Sequence, residues 1–444
     1  MKETTMRKTN YMLAVLTAAL AFLLAPFLAD EGQAQSRSQT LAITNGRIIT
    51  VSGPVIPRGT VVVRDGKIAA VGANVSVPSG ARVIDARGAN VYPGLIDPLT
   101  TLGLTEIPTV AGSVDTSEIG TYTPAVDTSW AVHPHSEIIP TVRVNGITTV
   151  LAAPRGGTIA GQAALINLDG WTPQEITLVR GAALYAQIPH WSSVSAQAAG
   201  AQGTGPAARL ARERYARQQL DDLRRYIALA RAYGAAKKAA AGSNPVSLTP
   251  DVDLEAMLPF LDGGRPWIVP ATTDEQIRHV IAFARQQRIK VVIAGAADAW
   301  KVATQLAEAN VPVLINPQAQ PRGRDEAYDV GFTNALVLQK AGVKFAFTSN
   351  SAADARNLHF SAALAVGFGL PADYAVRALT LSPAEILGVA DQVGSIEVGK
   401  VANLVVARGD ILDIRTPIQA VIIGGRQIEL RSRHTDLYDK FKVR

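Results

Sequence analysis

The sequence predicts an α/β protein: β/α units through the middle of the chain and β-rich stretches at both ends. Three observations carry this. Between 146 and 348, short runs rich in Val and Ile alternate with segments of helical pattern, as in parallel β/α units. Residues 41–91 read instead as short strands punctuated by Gly-containing turns, and the same style returns at 394–426. At 444 residues the chain suits a barrel with an appended sheet. Hydrophobic residues make up 48% and charged residues 18%, which gives an ample core and argues against disorder. The formal charge is +6. The basic residues are scattered apart from one helical region, and no basic stripe is interleaved with aromatics, so no nucleic-acid partner is expected.

Residues 1–34 have the pattern of a secretory signal peptide. Lys2, Arg7 and Lys8 form a positive start, 11–29 is almost continuously apolar apart from Pro26, and Gly32-Gln33-Ala34 offers small residues for cleavage. The mature chain is expected to begin near Gln35 and to be secreted, with a bacterial periplasm as its compartment. The alternative is retention of the apolar run as an anchor; after signal removal no stable membrane span is expected. There are no cysteines, which excludes disulfides, a thiolate nucleophile and Cys-bound zinc.

From Leu41 the β-type runs are 41–44, 47–51, 60–64, 67–71 and 81–85, with turn signals at Asn45-Gly46, Asp65-Gly66 and Pro78-Ser-Gly80. Val91 and Tyr92 close this segment, Pro93 and Gly94 turn the chain, and Leu95-Ile96 start a buried strand with Asp97 near its end. Strands are expected at 146–152, 289–294, 311–316 and 343–348, and helices at 298–309, 374–379 and 383–387. Residues 205–240, rich in Ala, Arg and Lys, place Ala216, Leu220, Leu223, Ile227 and Ala230 at helical spacing. This is a helix lying on the barrel with a solvent face; a partner-binding helix is the alternative.

The stretch Val91-Tyr-Pro-Gly-Leu-Ile-Asp-Pro-Leu-Thr-Thr-Leu-Gly-Leu104 resembles the first barrel strand of the amidohydrolase superfamily, in the branch similar to imidazolonepropionase. Gly394-Ser-Ile-Glu-Val-Gly-Lys400 followed by Ala402-Asn-Leu-Val-Val406 is similar at the other end. The resemblance implies a TIM-like (β/α)8 barrel over 94–393. It also implies a composite β-sandwich built from both chain ends, 41–93 with 394–430. The implied activity is hydrolysis of non-peptide C–N bonds in cyclic amides, with zinc or another divalent metal. Where family members carry acidic residues this chain has Val401 and Asn403, at positions of structural character.

The family's metal ligands are matched poorly. Its His-x-His pair falls on Leu99 and Thr101, two later histidines on Pro270 and Gly295, and the Asp of the last strand on Asn350. None of the six histidines lies within two residues of these positions. Asn350 keeps the shape of Asp without its charge, and Leu99 and Pro270 bring no donors, so the expectation is a pocket adapted to having no ion and no cofactor.

Other constellations are weaker. His133-Pro-His135 reads as an exposed loop pair. His190, after the apolar run 182–188, stands at a strand end that would face the barrel mouth. A Ser-His-Asp triad lacks the Gly-x-Ser-x-Gly elbow. Ala153-Pro-Arg-Gly-Gly-Thr-Ile-Ala-Gly-Gln162 is a Gly-rich loop after a strand, either a tight βα turn or an anion-binding loop, without the P-loop ending. The pocket candidates are therefore Asp97, Thr101, Glu106, Arg155, Gln162, His190 and Asn350. Two readings follow: a binding or scaffold module of amidohydrolase fold with a degenerate metal site, or a C–N hydrolase using a site around His190, Asp97 and Glu106. The partner is a small-molecule or peptide-like ligand, with a homo-oligomer left open.

Overall fold

A computed structural model describes residues 40–201, 203, 205–240, 248–319, 323 and 325–442. The signal segment at 1–34 lies outside the described residues.

The chain opens with β1 (Leu41–Ile48), β2 (Ile56–Arg64), β3 (Lys67–Gly72), β4 (Arg82–Asp85) and β5 (Asn90–Pro93). Asp65-Gly66 turns β2 into β3 with positive φ at both residues (51° and 77°), the geometry of a two-residue hairpin turn. Asn45-Gly46 behaves differently from its sequence signal. It is a bulge inside one continuous strand, where the register against β2 shifts on both sides of Gly46.

The second sheet holds β6 (Leu95–Thr100), β7 (Ile147–Ala152), β8 (Ile159–Asn167), β9 (Thr177–Ala186), β10 (Trp267–Ala271), β11 (Val291–Gly295), β12 (Val313–Ile315) and β13 (Phe345–Phe347), paired in chain order. It forms a nearly closed eight-stranded barrel. One strand departs from the expected (β/α)8 plan: β8 runs antiparallel to both β7 and β9. No helix joins β7 to β8. Pro154 blocks helical continuation, and Gly156 and Gly157 at φ 91° and 53° reverse the chain. The Gly-rich loop is thus a hairpin turn rather than a βα turn. Its amides at Arg155 and Thr158 donate to the carbonyls of Thr116 and Thr121 (2.6 and 2.7 Å), so they are not offered to an anion.

Side chains alternate across the parallel strands. Ile268, Val292, Leu314 and Ala346 fill the barrel interior, while Trp267, Ile293, Val313 and Phe345 face the surrounding helices. The long helix Pro206–Ala240 lies on this outer layer through Ala216, Leu220, Leu223, Ile227 and Ala230, the stripe that its sequence spacing predicts. The expected helix at 298–309 is a 3-10 turn, Ala299–Val302, running into helix Ala303–Glu308.

After the barrel, β14 (Leu404–Ala407), β15 (Ile418–Ile423) and β16 (Arg426–Gln427) return to the first sheet. β14 pairs antiparallel with β5, Leu404 opposite Pro93 and Val406 opposite Val91. Both edges of β5 are occupied, by β1 and β14, so the two ends of the chain form one continuous eight-stranded sheet. Its core includes Ile43, Val61, Val91, Leu404 and Ile422.

Candidate functional site

Asp97 sits in the middle of β6 and is fully buried. β6 and β13 are the two ends of the barrel sheet, with no ladder between them. Side chains and single backbone bonds close that seam. The Thr348 hydroxyl lies 2.8 Å from Asp97 Oδ1 and 2.7 Å from the Leu99 carbonyl. The Ser349 amide donates to Asp97 Oδ1 (3.1 Å), and the Ser349 hydroxyl touches Asp97 Oδ2 and the Ser351 carbonyl. The Asn350 amide donates to the Leu99 carbonyl and the Thr100 hydroxyl to the Ser351 carbonyl, both at 3.0 Å.

Each of the Thr348 and Ser349 hydroxyls has one proton and two acceptors. When Asp97 is protonated, below about pH 6, a proton on Oδ2 supplies the missing donor to Ser349 Oγ. Burial accordingly pushes the Asp97 pKa up to about 6, against the opposing effect of its hydrogen bonds. Asp97 is therefore a clasp between the first and last barrel strands, closed off from solvent.

At the C-terminal ends of the same strands, Leu99 is buried in the barrel interior and Thr101 is half-buried just beyond β6. Pro270 and Gly295 are exposed at the ends of β10 and β11, in adjacent register. Asn350, exposed and at φ 53°, follows β13. The guanidinium of Arg155, from the β7–β8 hairpin, reaches across to this group. Its Nη2 donates to Asn350 Oδ1 at 2.8 Å, and its Nη1 to the carbonyls of Ala153 and Pro154. It also lies over the Tyr185 ring, 4.6 Å from the centroid. Burial lowers the Arg155 pKa from its ordinary value, opposed by Tyr185 and Asp97. The barrel mouth thus carries a fixed cation beside the positions where the resemblance places metal ligands.

The remaining candidates lie elsewhere. Glu106 accepts from the Ser136 hydroxyl (2.6 Å) and the Glu137 amide (2.8 Å), which ties down the loop ahead of helix Ile138–Arg143. Gln162 donates to the Pro124 carbonyl at 3.0 Å and pins the segment crossing β8. His133 and His135 are exposed, with His135 against Trp171. The expected grouping of His190, Asp97 and Glu106 is not formed, because each is committed to different partners.

His190 is buried after β9 in a cluster of its own. Its Nδ1 is 2.7 Å from the Ser192 hydroxyl, its Nε2 is 3.6 Å from Glu275, and its ring is 5.2 Å from that of His279. Gln276 donates to Ser192 Oγ at 2.9 Å. Burial lowers the His190 pKa, with Glu275 opposing. Sequence reasoning missed Tyr185, Thr348, Ser349 and Glu275. Tyr185, Thr348 and Ser349 lay in runs it had marked, the last two in the stretch Thr348-Ser-Asn-Ser351 matched to the last-strand Asp, and nothing local gives any of them a role.

The chain is similar to known proteins in part of its sequence and in its fold. Residues 320–428 match the amidohydrolase family model. A dihydroorotase of Anaeromyxobacter dehalogenans is 48% identical over 60 residues, 14% of this chain and 14% of that protein. A D-hydantoinase of Geobacillus stearothermophilus is 46% identical over 65 residues, 15% and 13% of the two chains. The match thus spans about a seventh of these curated relatives. The crystal structure of an amidohydrolase from Thermotoga maritima superposes with a TM-score of 0.76 at 25% identity, covering 88% of this chain and all of that one.

These findings correct the expectation that the chain takes no cofactor: amidohydrolases such as dihydroorotase are metal-dependent. The five mouth positions do not themselves fit such an ion. Leu99, Pro270 and Gly295 offer no side-chain donor atom, and the Asn350 oxygen is engaged by Arg155. No group of three or more His, Asp or Glu among the described residues is arranged to hold a metal ion. An ion bound by this chain needs ligands beyond those five positions. The described residues have the fold of the Thermotoga amidohydrolase, and 320–428 carry the amidohydrolase family match.

Proposed function

We propose that this protein is an amidohydrolase-family member whose degenerate barrel mouth binds a small cyclic amide or carboxylate, with Arg155 as the anchor. The observation that carries this reading is the Arg155 guanidinium, held by Asn350 and Tyr185 at the mouth. A guanidinium has five N–H donors in a planar fork. Its described bonds engage Nη1 and one face of Nη2, and the rest suit a carboxylate or a pair of carbonyl oxygens. The names of the relatives, dihydroorotase and D-hydantoinase, point to cyclic amides. The chain acts on such a ligand as a binding module of this fold.

The test is calorimetric titration with dihydroorotate and with hydantoin, alongside an assay for ring opening. Binding by the wild type and at least tenfold weaker binding by Arg155→Ala support the reading. Equal binding by both proteins removes Arg155 from it.

A second reading, a C–N hydrolase centred on His190, rests on the contacts of His190 with Ser192 and Glu275. A neutral imidazole beside a hydroxyl is the arrangement of a base and a nucleophile. Ring opening that survives Arg155→Ala and disappears in His190→Ala would move the function there. We further propose export to the periplasm, on the pattern of residues 1–34; N-terminal sequencing that finds Met1 retained on cytosolic protein ends that proposal.

A further inference from the structure

We infer a second ligand site, at the opposite end of the barrel, for an apolar or aromatic molecule that carries an anionic group. A cavity of about 990 Å³ opens where four consecutive parallel strands begin. The residues just before β10, β11, β12 and β13 are Pro266, Lys290, Pro312 and Lys344, and all four line it. Strands of this length separate it from the Arg155 end by roughly 15 Å. Its volume is at the upper end of those that hold small organic ligands.

The chemistry of the walls defines the ligand. Val179, Ala182, Ile386 and Val389 form an apolar floor. Five cationic side chains line the cavity, Arg265, Arg285, Arg288, Lys290 and Lys344, against two carboxylates, Glu308 and Glu385. Glu385 is already shared by Lys344 (2.9 Å) and Arg377 (2.5 Å). Arg285, Arg288 and Lys290 form no ion pair with any described residue, so an excess of positive charge faces an apolar base. A concave wall of low dielectric focuses that field on whatever enters. An inorganic anion would leave the floor wet and a neutral hydrocarbon would leave the cations unanswered. An amphiphilic anion satisfies both.

The experiment uses the whole chain and three probes: 8-anilinonaphthalene-1-sulfonate, the neutral N-phenyl-1-naphthylamine of nearly the same body, and inorganic phosphate. Saturable one-to-one binding of the sulfonate is expected, at least tenfold weaker in Lys290→Glu and Arg288→Glu. Circular dichroism and the thermal midpoint check that both variants are folded, and Arg288→Gln replaces any that is not. Arg155→Ala, at the other end, should leave the affinity unchanged. Three results overturn the site: no saturable binding, equal affinity for the neutral probe, or insensitivity to all the charge variants. Displacement of the sulfonate by phosphate at equal concentration would overturn the apolar part of the assignment. Loss of binding in Arg155→Ala would place the probe at the mouth instead, so this test is separable from that of the proposed function.

Discussion

Asp97 and His359 are buried titratable groups whose effects on stability oppose each other over the same pH range. Asp97 has a folded pKa of about 6 against an ordinary 3.8. The stability it contributes is complete below pH 3.8 and is lost as pH rises through 6. His359, on helix Leu358–Gly367, is pushed down to about 4 from 6.5 by burial, and its Nδ1 has no described partner. Its contribution is complete above pH 6.5 and is lost as pH falls through 4. At about 1.4 kcal/mol per pKa unit each effect is about 3 kcal/mol, so between pH 4 and 6 they nearly cancel. Asp97→Asn keeps the clasp, because an amide Nδ2 at the Oδ2 position donates to Ser349 Oγ, and it removes the titration. Relative to wild type, this variant should lose stability on acidification from pH 6 to 4. His359→Gln should gain it over the same interval. Urea midpoints across that interval check both, and parallel curves for all three proteins would contradict the assignment.

At the scale of elements, what could be read from the sequence was whatever depends on local spacing. The stripe Ala216, Leu220, Leu223, Ile227 and Ala230 marks the buried face of helix Pro206–Ala240 without knowledge of what it packs on. Asp65-Gly66 makes its hairpin because both residues tolerate positive φ. Asn45-Gly46 carries the same signal and bulges instead. Its partners Arg82–Asp85 and Asn90-Val91 hold β1 straight from one edge, and β2 holds it from the other. The reversal of β8 was likewise invisible, since strand direction depends on neighbours far away in sequence. The helix stripe gives a direct prediction. Ile227 is fully buried, whereas Leu229 is more than half exposed. Ile227→Ala should cost about 2–5 kcal/mol and Leu229→Ala at most about 0.5 kcal/mol in chemical denaturation. Equal costs would mean that the helix docks through another face.

The whole molecule depends on the joint between sheet and barrel, where the site was least legible and the fold most so. The match at both chain ends pointed to Val401 and Asn403 as structural positions, and Asn403 is a hub of the joint. Its backbone carbonyl accepts from Gly94, at the entry to the first barrel strand. Its side-chain amide donates to Thr149 (2.9 Å) and Asn167 (2.7 Å) on barrel strands, and its oxygen accepts from the Gly424 amide of the sheet (2.8 Å). Gly94 has to be glycine, because a Cβ there would stand 2.0 Å from the Thr148 hydroxyl. Asn403→Ala leaves the half-buried Gly424 N–H without its partner and weakens the satisfaction of Asn167, at most about 1–3 kcal/mol for each group left unpaired. All five tryptophans lie between 130 and 300, in the barrel part of the chain, so their fluorescence reports the barrel alone. A change made in the sheet should therefore lower the denaturation midpoint read from barrel tryptophans, together with the midpoint from far-ultraviolet circular dichroism. The β5–β14 ladder remains in the variant and keeps the two parts cooperative. A fluorescence midpoint that stays at the wild-type value would show that sheet and barrel unfold independently, and that Asn403 does not couple them.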